Sequence, residues 1–341
     1  MDNRQLELTV WLNATLKQAF TLTTASADAS FRRYFRVHLV DAYLGHHSLI
    51  AMDAPPPQED CAPFVKIAKL LLDAGLNAPQ ILAQDLTNGF LLLSDLGDTT
   101  YLSQLNAHRN ELNHTQLLYG DATDALIKMQ LHSQAGVLPN YDDALLTREM
   151  QLFPDWYVSK HLGVSLNAEQ QAVLSNTFNV LNENILAQGQ VIVHRDYHSR
   201  NLMVTVANNP GVLDFQDAVY GAITYDLVSL LKDAYIEWDE EQIIDWAVRY
   251  WQPAKKAGLP VPDDFSEFYR DFEWIGAQRH IKVLGIFARL SHRDGKDGYL
   301  KDMPLVMRYL RKVCERYVEL RPMLRLLNQL ENVKQQEGFT F

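Results

Sequence analysis

Residues 191–206 read VIVHRDYHSRNLMVTV, and GVLDFQD follows at residues 211–217 after an Asn-Asn-Pro-Gly turn signal. The apolar runs that precede Asp196 and Asp214 are typical of short β-strands. Asn201 follows Asp196 by five residues and directly precedes the next apolar run. We therefore predict a β-hairpin whose one end brings Asn201 and Asp214 together, with Asp196 in the loop before it.

These three residues carry the side-chain chemistry that phosphoryl transfer from a nucleotide requires. A carboxylate such as Asp196 can orient an acceptor hydroxyl and accept its proton. The amide oxygen of Asn201 and the carboxylate of Asp214 suit Mg²⁺, a hard cation that binds oxygen ligands. Because positioning and charge neutralisation supply most of the catalysis in this reaction, the pattern predicts a kinase that uses a nucleotide and Mg²⁺. ATP is the expected nucleotide, but these residues do not distinguish ATP from GTP.

The rest of the chain divides into two regions with different residue patterns. Residues 1–96 contain β-branched and aromatic runs with turn signals between them, and one short amphipathic helix that ends near Gly75. After residue 97 helical spacing dominates, with amphipathic patterns over residues 168–188, 240–252, 264–290 and 302–328. We expect an α+β, bilobal fold: a small β-rich N-terminal lobe (1–96) and a larger, mainly helical C-terminal lobe (97–341).

Composition limits the class of protein and its partners. The chain has 341 residues, with 31 Lys and Arg against 42 Asp and Glu, a net charge of −11. Such an acidic chain is a poor general binder of nucleic acid. No apolar run approaches a membrane span, no signal peptide is visible, and the two cysteines form no CxxC pair. We expect a cytoplasmic protein without membrane or nucleic-acid partners, and the pattern leaves the oligomeric state open.

The order HRDxxxxN followed by a strand-borne Asp-Phe resembles the protein-kinase-like superfold. This pattern, taken together with His194, His198 and the later Asp226-Leu227, is similar to that of the aminoglycoside phosphotransferase/choline kinase family. The resemblance implies that Asp196 is the catalytic base and that Asn201 and Asp214 bind Mg²⁺. It also implies structural roles at the site for His194 and for Asp226, which would brace the catalytic loop.

Further segments are similar to the bacterial anomeric sugar kinases within that family. These segments are FRRYFRV (31–37), MDAPPP (52–57), LLLSDLG (91–97), REMQLFPDWYV (148–158), YDLVSLLKDAY (225–235) and QRHIKVLGIFARLSHRDGK (278–296). The similarity implies a sugar acceptor, phosphorylated at the anomeric C1 hydroxyl of N-acetylmuramic acid or N-acetylglucosamine in cell-wall recycling. An aminoglycoside or a choline-like acceptor is the alternative within the same mechanism.

Two departures from the kinase pattern concern the nucleotide phosphates. Met52 occupies the strand position where that pattern has a lysine, and residues 25–30, ASADAS, replace a glycine-rich loop. A nucleotide-binding pseudokinase is therefore a second alternative. If the enzyme is active, other groups must compensate. The candidates are Arg32, Arg33, Lys66 and the backbone near Ser30. Because neighbouring strand residues point to opposite faces, at most one of the two arginines should reach the nucleotide.

The remaining candidates concern adenine and the acceptor. Backbone groups around Ser94, Asp95 and Leu96 are expected to bind adenine, because they follow the apolar strand at residues 90–93. For the acceptor, Glu149 could accept hydrogen bonds from hydroxyl groups, and Trp156 could stack on a sugar ring. Arg279 or His280 could bind the lactyl carboxylate of a muramic acid. The alternatives are a surface salt bridge for Glu149, a core position for Trp156 and a solvated helix face for Arg279 and His280.

A different class of enzyme is also compatible with part of the motif. His194, Asp196 and His198 form an HxDxH pattern that could ligate zinc in a metallohydrolase. That hypothesis gives no role to Asn201 or Asp214.

Overall fold

A computed structural model describes residues 2–27 and 31–331. The chain divides into two compact units, each discontinuous in sequence. Unit 1 comprises the described residues of 1–129 and 200–218, and unit 2 those of 130–199 and 219–341. The predicted lobe boundary at residue 96 stays a prediction. No helix in the described part of the chain is long and apolar enough to cross a bilayer.

The first half of the described chain contains strands and helices in mixed order. They are α1 (Asn3–Leu16), β1 (Phe20–Ala27), β2 (Arg33–Tyr43), β3 (His46–Asp53), α2 (Ala62–Asp73), β4 (Ile81–Asp85), β5 (Phe90–Ser94), α3 (Tyr101–Ala107), α4 (Leu112–Leu131) and α5 (Asp143–Met150), then a π-helix (Phe153–His161).

The second half is mainly helical, with four short strands. It contains α6 (Ala168–Ala187), β6 (Gln190–Val193), β7 (Leu202–Met203), β8 (Gly211–Val212), β9 (Val219–Ala222), α7 (Tyr225–Leu231), α8 (Glu240–Lys256), α9 (Phe265–Asp294), α10 (Met303–Arg316) and α11 (Arg321–Leu330), with 3₁₀ turns at Asp297–Asp302 and Val318–Leu320. The predicted α+β class, with the sheet first and the helices later, is confirmed.

An antiparallel sheet of five strands in the order β1-β2-β3-β5-β4 forms the core of unit 1. Alternate residues point to opposite faces. One face packs on α1 through a cluster of Leu8, Leu12, Leu16, Phe35, Val37, Leu49, Ala51, Phe90 and Leu92. Residues paired on the opposite face, Arg36 with Ile50 and Ile50 with Leu93, line a cavity instead.

Helix α1 and strand β1 were not predicted as elements. The first twelve residues, MDNRQLELTVWL, mix polar and apolar residues, and the helix is amphipathic only through Leu8, Leu12 and Leu16. These three leucines are buried against the sheet, so tertiary packing rather than local propensity holds the helix.

The hairpin predicted from residues 191–217 is present in unit 1. Strands β7 and β8 pair antiparallel, with Leu202 opposite Val212. Strand β6 does not join them; it pairs with β9 in unit 2. The chain therefore passes from unit 2 to unit 1 between Ser199 and Arg200.

The predicted long helices are present in unit 2 with one exception. Helices α6, α8 and α9 begin within one residue of their predicted starts. The pattern over residues 302–328 predicts one helix, but α10 ends at Arg316 and α11 begins at Arg321. Pro322 explains the interruption, because proline lacks the N–H that a continuous helix would need there.

Candidate active site

The hairpin in unit 1 brings Asn201 and Asp214 together as predicted from the sequence. The Asn201 amide nitrogen donates to a carboxylate oxygen of Asp214 at 3.2 Å, and the Leu213 N–H donates to the Asn201 carbonyl at 2.9 Å. Asp214 has φ +62°, a left-handed conformation that is uncommon for a residue with a side chain. Phe215 next to it is buried against Phe64 of α2, with ring centroids 4.8 Å apart. The packing of Phe215 thus holds the Asp214 backbone in a strained conformation, as is common at functional sites.

Asn201 and Asp214 lie on a cavity of about 340 Å³ within unit 1. The apolar part of its lining includes Ile50, Leu93 and Met203, and the polar part includes Arg36 and Asp95. A cavity of this size with a mainly apolar lining and a few polar groups is typical of a small-molecule site. The lining therefore combines the aspartate–asparagine pair with the segment that follows β5.

The segment after β5 contains the residues predicted to bind adenine, and all three line the cavity. The Ser94 hydroxyl accepts the Gln80 N–H at 2.8 Å, so this side chain fixes the strand end. The Asp95 carboxylate accepts hydrogen bonds from the Arg36 guanidinium at 2.7 Å and from the Ser48 hydroxyl at 2.8 Å. The Asp95 carboxylate is therefore held by Arg36 and Ser48 and fixes the conformation of the segment. Leu96, the next residue, also lines the cavity.

The candidate phosphate-binding cations occupy different environments in unit 1. Arg33 lies at the start of α1, because its guanidinium pairs with the α1 N-cap Asp2 and also donates to the buried carboxylate of Asp53 in β3 at 2.7 Å. Arg32 pairs with Glu59 at 3.0 Å, and both side chains are about nine-tenths buried. Burial lowers the pKa of Arg32, but the neighbouring Tyr34, Glu59 and Asp214 more than offset this and hold it above its usual value. Asp214 thus contributes to the raised pKa of Arg32, whereas the raised pKa of Arg33 is due to Asp2 and Asp53.

Two other candidates for phosphate binding gain no support from the geometry. Lys66 is exposed on α2 and does not line the cavity. Ser30 lies outside the described residues. At the position of the missing lysine, Met52 is fully buried in β3, paired with Tyr34 and Leu91 on neighbouring strands.

In unit 2, two buried carboxylates hold the loop that carries Asp196. Asp226 at the start of α7 accepts the backbone N–H groups of His194 at 2.6 Å and Arg195 at 3.0 Å. Asp233, just after α7, accepts the Ser199 N–H at 3.0 Å. Both ends of the loop are therefore tied to one helix, as the predicted bracing role of Asp226 requires. Asp233 was not predicted.

The side chain of His194 helps to fix the backbone of the same loop. Its side chain is fully buried, and its Nδ1 accepts the Asp196 N–H at 3.2 Å. Its ring packs edge-on against Tyr197 at 5.7 Å. This nitrogen is therefore occupied by the backbone rather than directed at a metal. Among residues 2–27 and 31–331, no three side chains of His, Cys, Asp or Glu converge to hold a metal ion, so the geometry does not favour the zinc hydrolase.

Cations surround Asp196 in unit 2. Burial raises the pKa of this carboxyl, but Lys282, His198, Arg279 and Arg195 together outweigh burial, and the pKa lies below its usual value. Asp196 is therefore ionised at neutral pH and can accept a hydrogen bond from a hydroxyl group.

Glu149, a predicted acceptor-binding residue, is a member of an ion network. Its carboxylate pairs with Lys282 at 3.1 Å and with Arg195, and it accepts the Tyr141 hydroxyl hydrogen. Burial raises the pKa of Glu149, but these two cations keep it below its usual value. The network fixes Arg195 and Lys282 beside the loop; sequence spacing could not show it, because its members lie on α5, the loop and α9.

The other predicted acceptor-binding residues lie on two helices. Trp156 is half-buried on the π-helix, a feature often found at functional sites. Arg279 and His280 are both buried on α9, so neither belongs to a solvated helix face. Neighbouring helix residues point about 100° apart. Arg279 therefore shares a face of α9 with Lys282, whereas the His280 ring stacks on Tyr309 of α10 at 5.2 Å.

The burial of Asp226 predicts a pH dependence of stability. Burial raises the pKa of Asp226 to about 7, although the backbone N–H groups of His194 and Arg195 oppose the shift. The folded protein then retains a proton that the unfolded chain releases, so this residue destabilises the fold as pH rises from about 4 to 7. Urea unfolding of wild type and Asp226→Asn at several pH values should show wild type losing stability relative to the variant across this range. Parallel profiles would contradict the shift.

A five-stranded antiparallel sheet with an amide–carboxylate pair at its cavity, and a braced aspartate loop among helices, define a kinase-like phosphotransferase. The chain belongs to the phosphotransferase enzyme family, whose sequence profile matches residues 21–259. It is 49% identical over 340 residues to the N-acetylmuramate/N-acetylglucosamine kinase of Neisseria meningitidis serogroup B, covering 99% of both chains. A kinase of the same name from Pseudomonas aeruginosa is also 49% identical, over 96% of this chain and 97% of that one.

Solved structures support the same fold. A choline/ethanolamine kinase family protein from Mesorhizobium loti matches with a TM-score of 0.63 at 14% identity, covering 96% of this chain and 99% of that one. An ADP-bound aminoglycoside phosphotransferase, APH(2″)-Ib, matches with a TM-score of 0.57 at 14% identity, covering 92% and 99%. The predicted family and the predicted phosphotransferase activity are confirmed.

Proposed function

We propose that this enzyme transfers the γ-phosphoryl group of ATP to the anomeric C1 hydroxyl of an amino sugar, N-acetylmuramic acid or N-acetylglucosamine. The observation that carries the proposal is the Asn201–Asp214 pair beside a nucleotide-sized cavity, in a chain that also holds a braced, ionised Asp196. The name shared by relatives that match almost the whole chain supports the choice of acceptor. A role in cell-wall recycling and a cytoplasmic location belong to the same proposal.

The residues that line the cavity of unit 1 are chemically suited to ATP. The adenine ring would lie among apolar residues such as Ile50 and Leu93, with backbone groups near Leu96 available for hydrogen bonds. Mg²⁺ fits beside Asn201 and Asp214, because the amide nitrogen of one lies 3.2 Å from a carboxylate oxygen of the other and both side chains offer oxygen ligands. When bound, the metal would neutralise phosphate charge.

Arg32 is our choice for the cation that replaces the missing lysine. Arg32 is not part of the cavity lining, but its guanidinium is largely buried and held by Glu59 at 3.0 Å, and Asp214 contributes to its raised pKa. Protein kinases use a lysine–glutamate pair to hold the phosphates of ATP, and Arg32 with Glu59 offers the same charges from different positions in the chain. The pseudokinase alternative is one of the outcomes of the assay described below.

Asp196 would orient the acceptor hydroxyl and accept its proton as the oxygen attacks the γ-phosphorus. A carboxylate with a lowered pKa is a weak base, so proton transfer would come late, after bond formation to phosphorus has acidified the hydroxyl. Asp226 and His194 would act through the loop backbone by fixing the position of Asp196. Half-buried Trp156 offers an aromatic face for the sugar ring.

The experiment is a coupled assay of ADP formation with ATP and Mg²⁺. Its acceptors are N-acetylmuramic acid, N-acetylglucosamine, glucose, choline and kanamycin. We expect turnover with the two N-acetyl sugars and an acid-labile product, as a C1 phosphate should be. Turnover only with choline or kanamycin would retain the mechanism and reject the acceptor. ATP binding without turnover on any acceptor would favour a pseudokinase.

A further inference from the structure

Helix α9 carries a buried cation, Arg279, to which the described residues supply no ion pair within 4.0 Å, although its charge acts on Asp196 and Asp226. Only 4% of Arg279 is exposed, yet its Nη1 has no hydrogen-bond partner in the described part of the chain, and no ion pair is found there for its guanidinium. Lys282 and Arg195, two of the other groups that act on Asp196, differ because both pair with Glu149. An unpaired buried charge is costly, so an anionic ligand at Arg279 would offset a penalty that the free protein bears.

The position of Arg279 relates this unpaired charge to the reacting group. Arg279 precedes Lys282 by three residues, which places both side chains on one face of α9. Both residues act electrostatically on Asp196, and Arg279 acts on Asp226 as well. Gln278, which shares a face with Lys282 four residues later, is fully buried, and neither its amide nitrogen nor its oxygen has a partner among the described residues. This face therefore presents polar groups, beside the acceptor-activating residue, that the protein leaves unsatisfied.

We propose that Arg279 binds the carboxylate of a sugar acid acceptor and thereby favours N-acetylmuramic acid over acceptors without that group. The proposal rests on the proposed function, since it concerns the same acceptor. A guanidinium matches a carboxylate with two parallel hydrogen bonds, which gives geometric selectivity as well as attraction. The C1 hydroxyl would then lie toward Asp196 while the acidic substituent lies toward Arg279.

The test compares acceptors that differ in this one charge. The ratio of kcat/KM for N-acetylmuramic acid to that for its methyl ester is measured in wild type and in Arg279→Gln, with N-acetylglucosamine as a third acceptor. We expect the acid-over-ester ratio to fall about tenfold to a hundredfold in the variant, as for loss of a charged hydrogen bond. Turnover of the ester and of N-acetylglucosamine should fall much less.

Two further variants separate acceptor recognition from other roles. Arg270→Gln removes an exposed arginine from the same helix and should leave the ratio unchanged. Arg279→Lys keeps the charge without the planar fork, so it should retain part of the preference, and it replaces Arg279→Gln if the latter does not fold. An equal loss on all three acceptors would mean that Arg279 only positions Asp196 or contacts the phosphoryl group, and would overturn the proposal. No turnover of either sugar by wild type would instead reject the proposed function itself.

Discussion

Asp196→Asn is expected to lower kcat by about 10²- to 10⁴-fold while leaving ATP binding unchanged. The amide keeps the shape of the side chain, and it can neither take a proton nor carry the negative charge that Lys282 and Arg279 now face. The measurement is ADP formation at saturating ATP and acceptor, together with calorimetric titration of the nucleotide.

The control for this variant is Asp264→Asn. Asp264 is the exposed N-cap of α9 and accepts the Ser266 N–H at 2.6 Å, a role that asparagine also fills well. Both variants make the same chemical change, so only the location differs. Wild-type turnover by Asp196→Asn, with the protein shown to be folded, would remove Asp196 from the role of base.

Asp214→Asn is expected to lower kcat/KM for ATP by about 10³-fold, since a metal ligand is worth several kcal/mol of transition-state stabilisation. The loss should depend on metal: the Mg²⁺ concentration for half-maximal rate should rise, while binding of ATP without Mg²⁺ changes little. Rates are measured against Mg²⁺ concentration in wild type, Asp214→Asn and the Asp264→Asn control. A lower rate at every Mg²⁺ concentration with an unchanged midpoint would indicate a positioning role instead.

Most of the hairpin and its neighbouring loop could be predicted because their signals are local. Apolar strands, the turn at residues 208–211 and the spacing of Asp196 to Asn201 all lie within some twenty-five residues. The long helices of unit 2 could be predicted for the same reason, since their periodicity extends over several turns. Helix α1 could not, because its burial depends on a sheet formed by residues elsewhere in the chain.

The site was predictable only where a residue's role depends on its neighbours in sequence. The environment of Glu149 depends on Lys282, which lies on another helix 133 positions later, so spacing could not distinguish a ligand from an ion pair. Arg36 was missed because nothing in the sequence relates it to Asp95 until β2 and the segment after β5 lie side by side. Arg32 and Arg33 could be separated by strand alternation, but only the fold shows that Arg32 pairs with Glu59 and Arg33 with Asp53, and that Asp214 contributes to the raised pKa of Arg32.

The packing of α1 on the sheet limits which fragments of the enzyme can fold and be active. The family match begins at residue 21, after α1, and ends at residue 259, before α9. A fragment cut at those limits would bare the sheet face that Leu8, Leu12 and Leu16 cover, about 2 kcal/mol of burial for each leucine. It would also delete Lys282 and leave Glu149 with one cation fewer. A minimal active fragment must therefore keep residues on both sides of the segment by which the family is recognised.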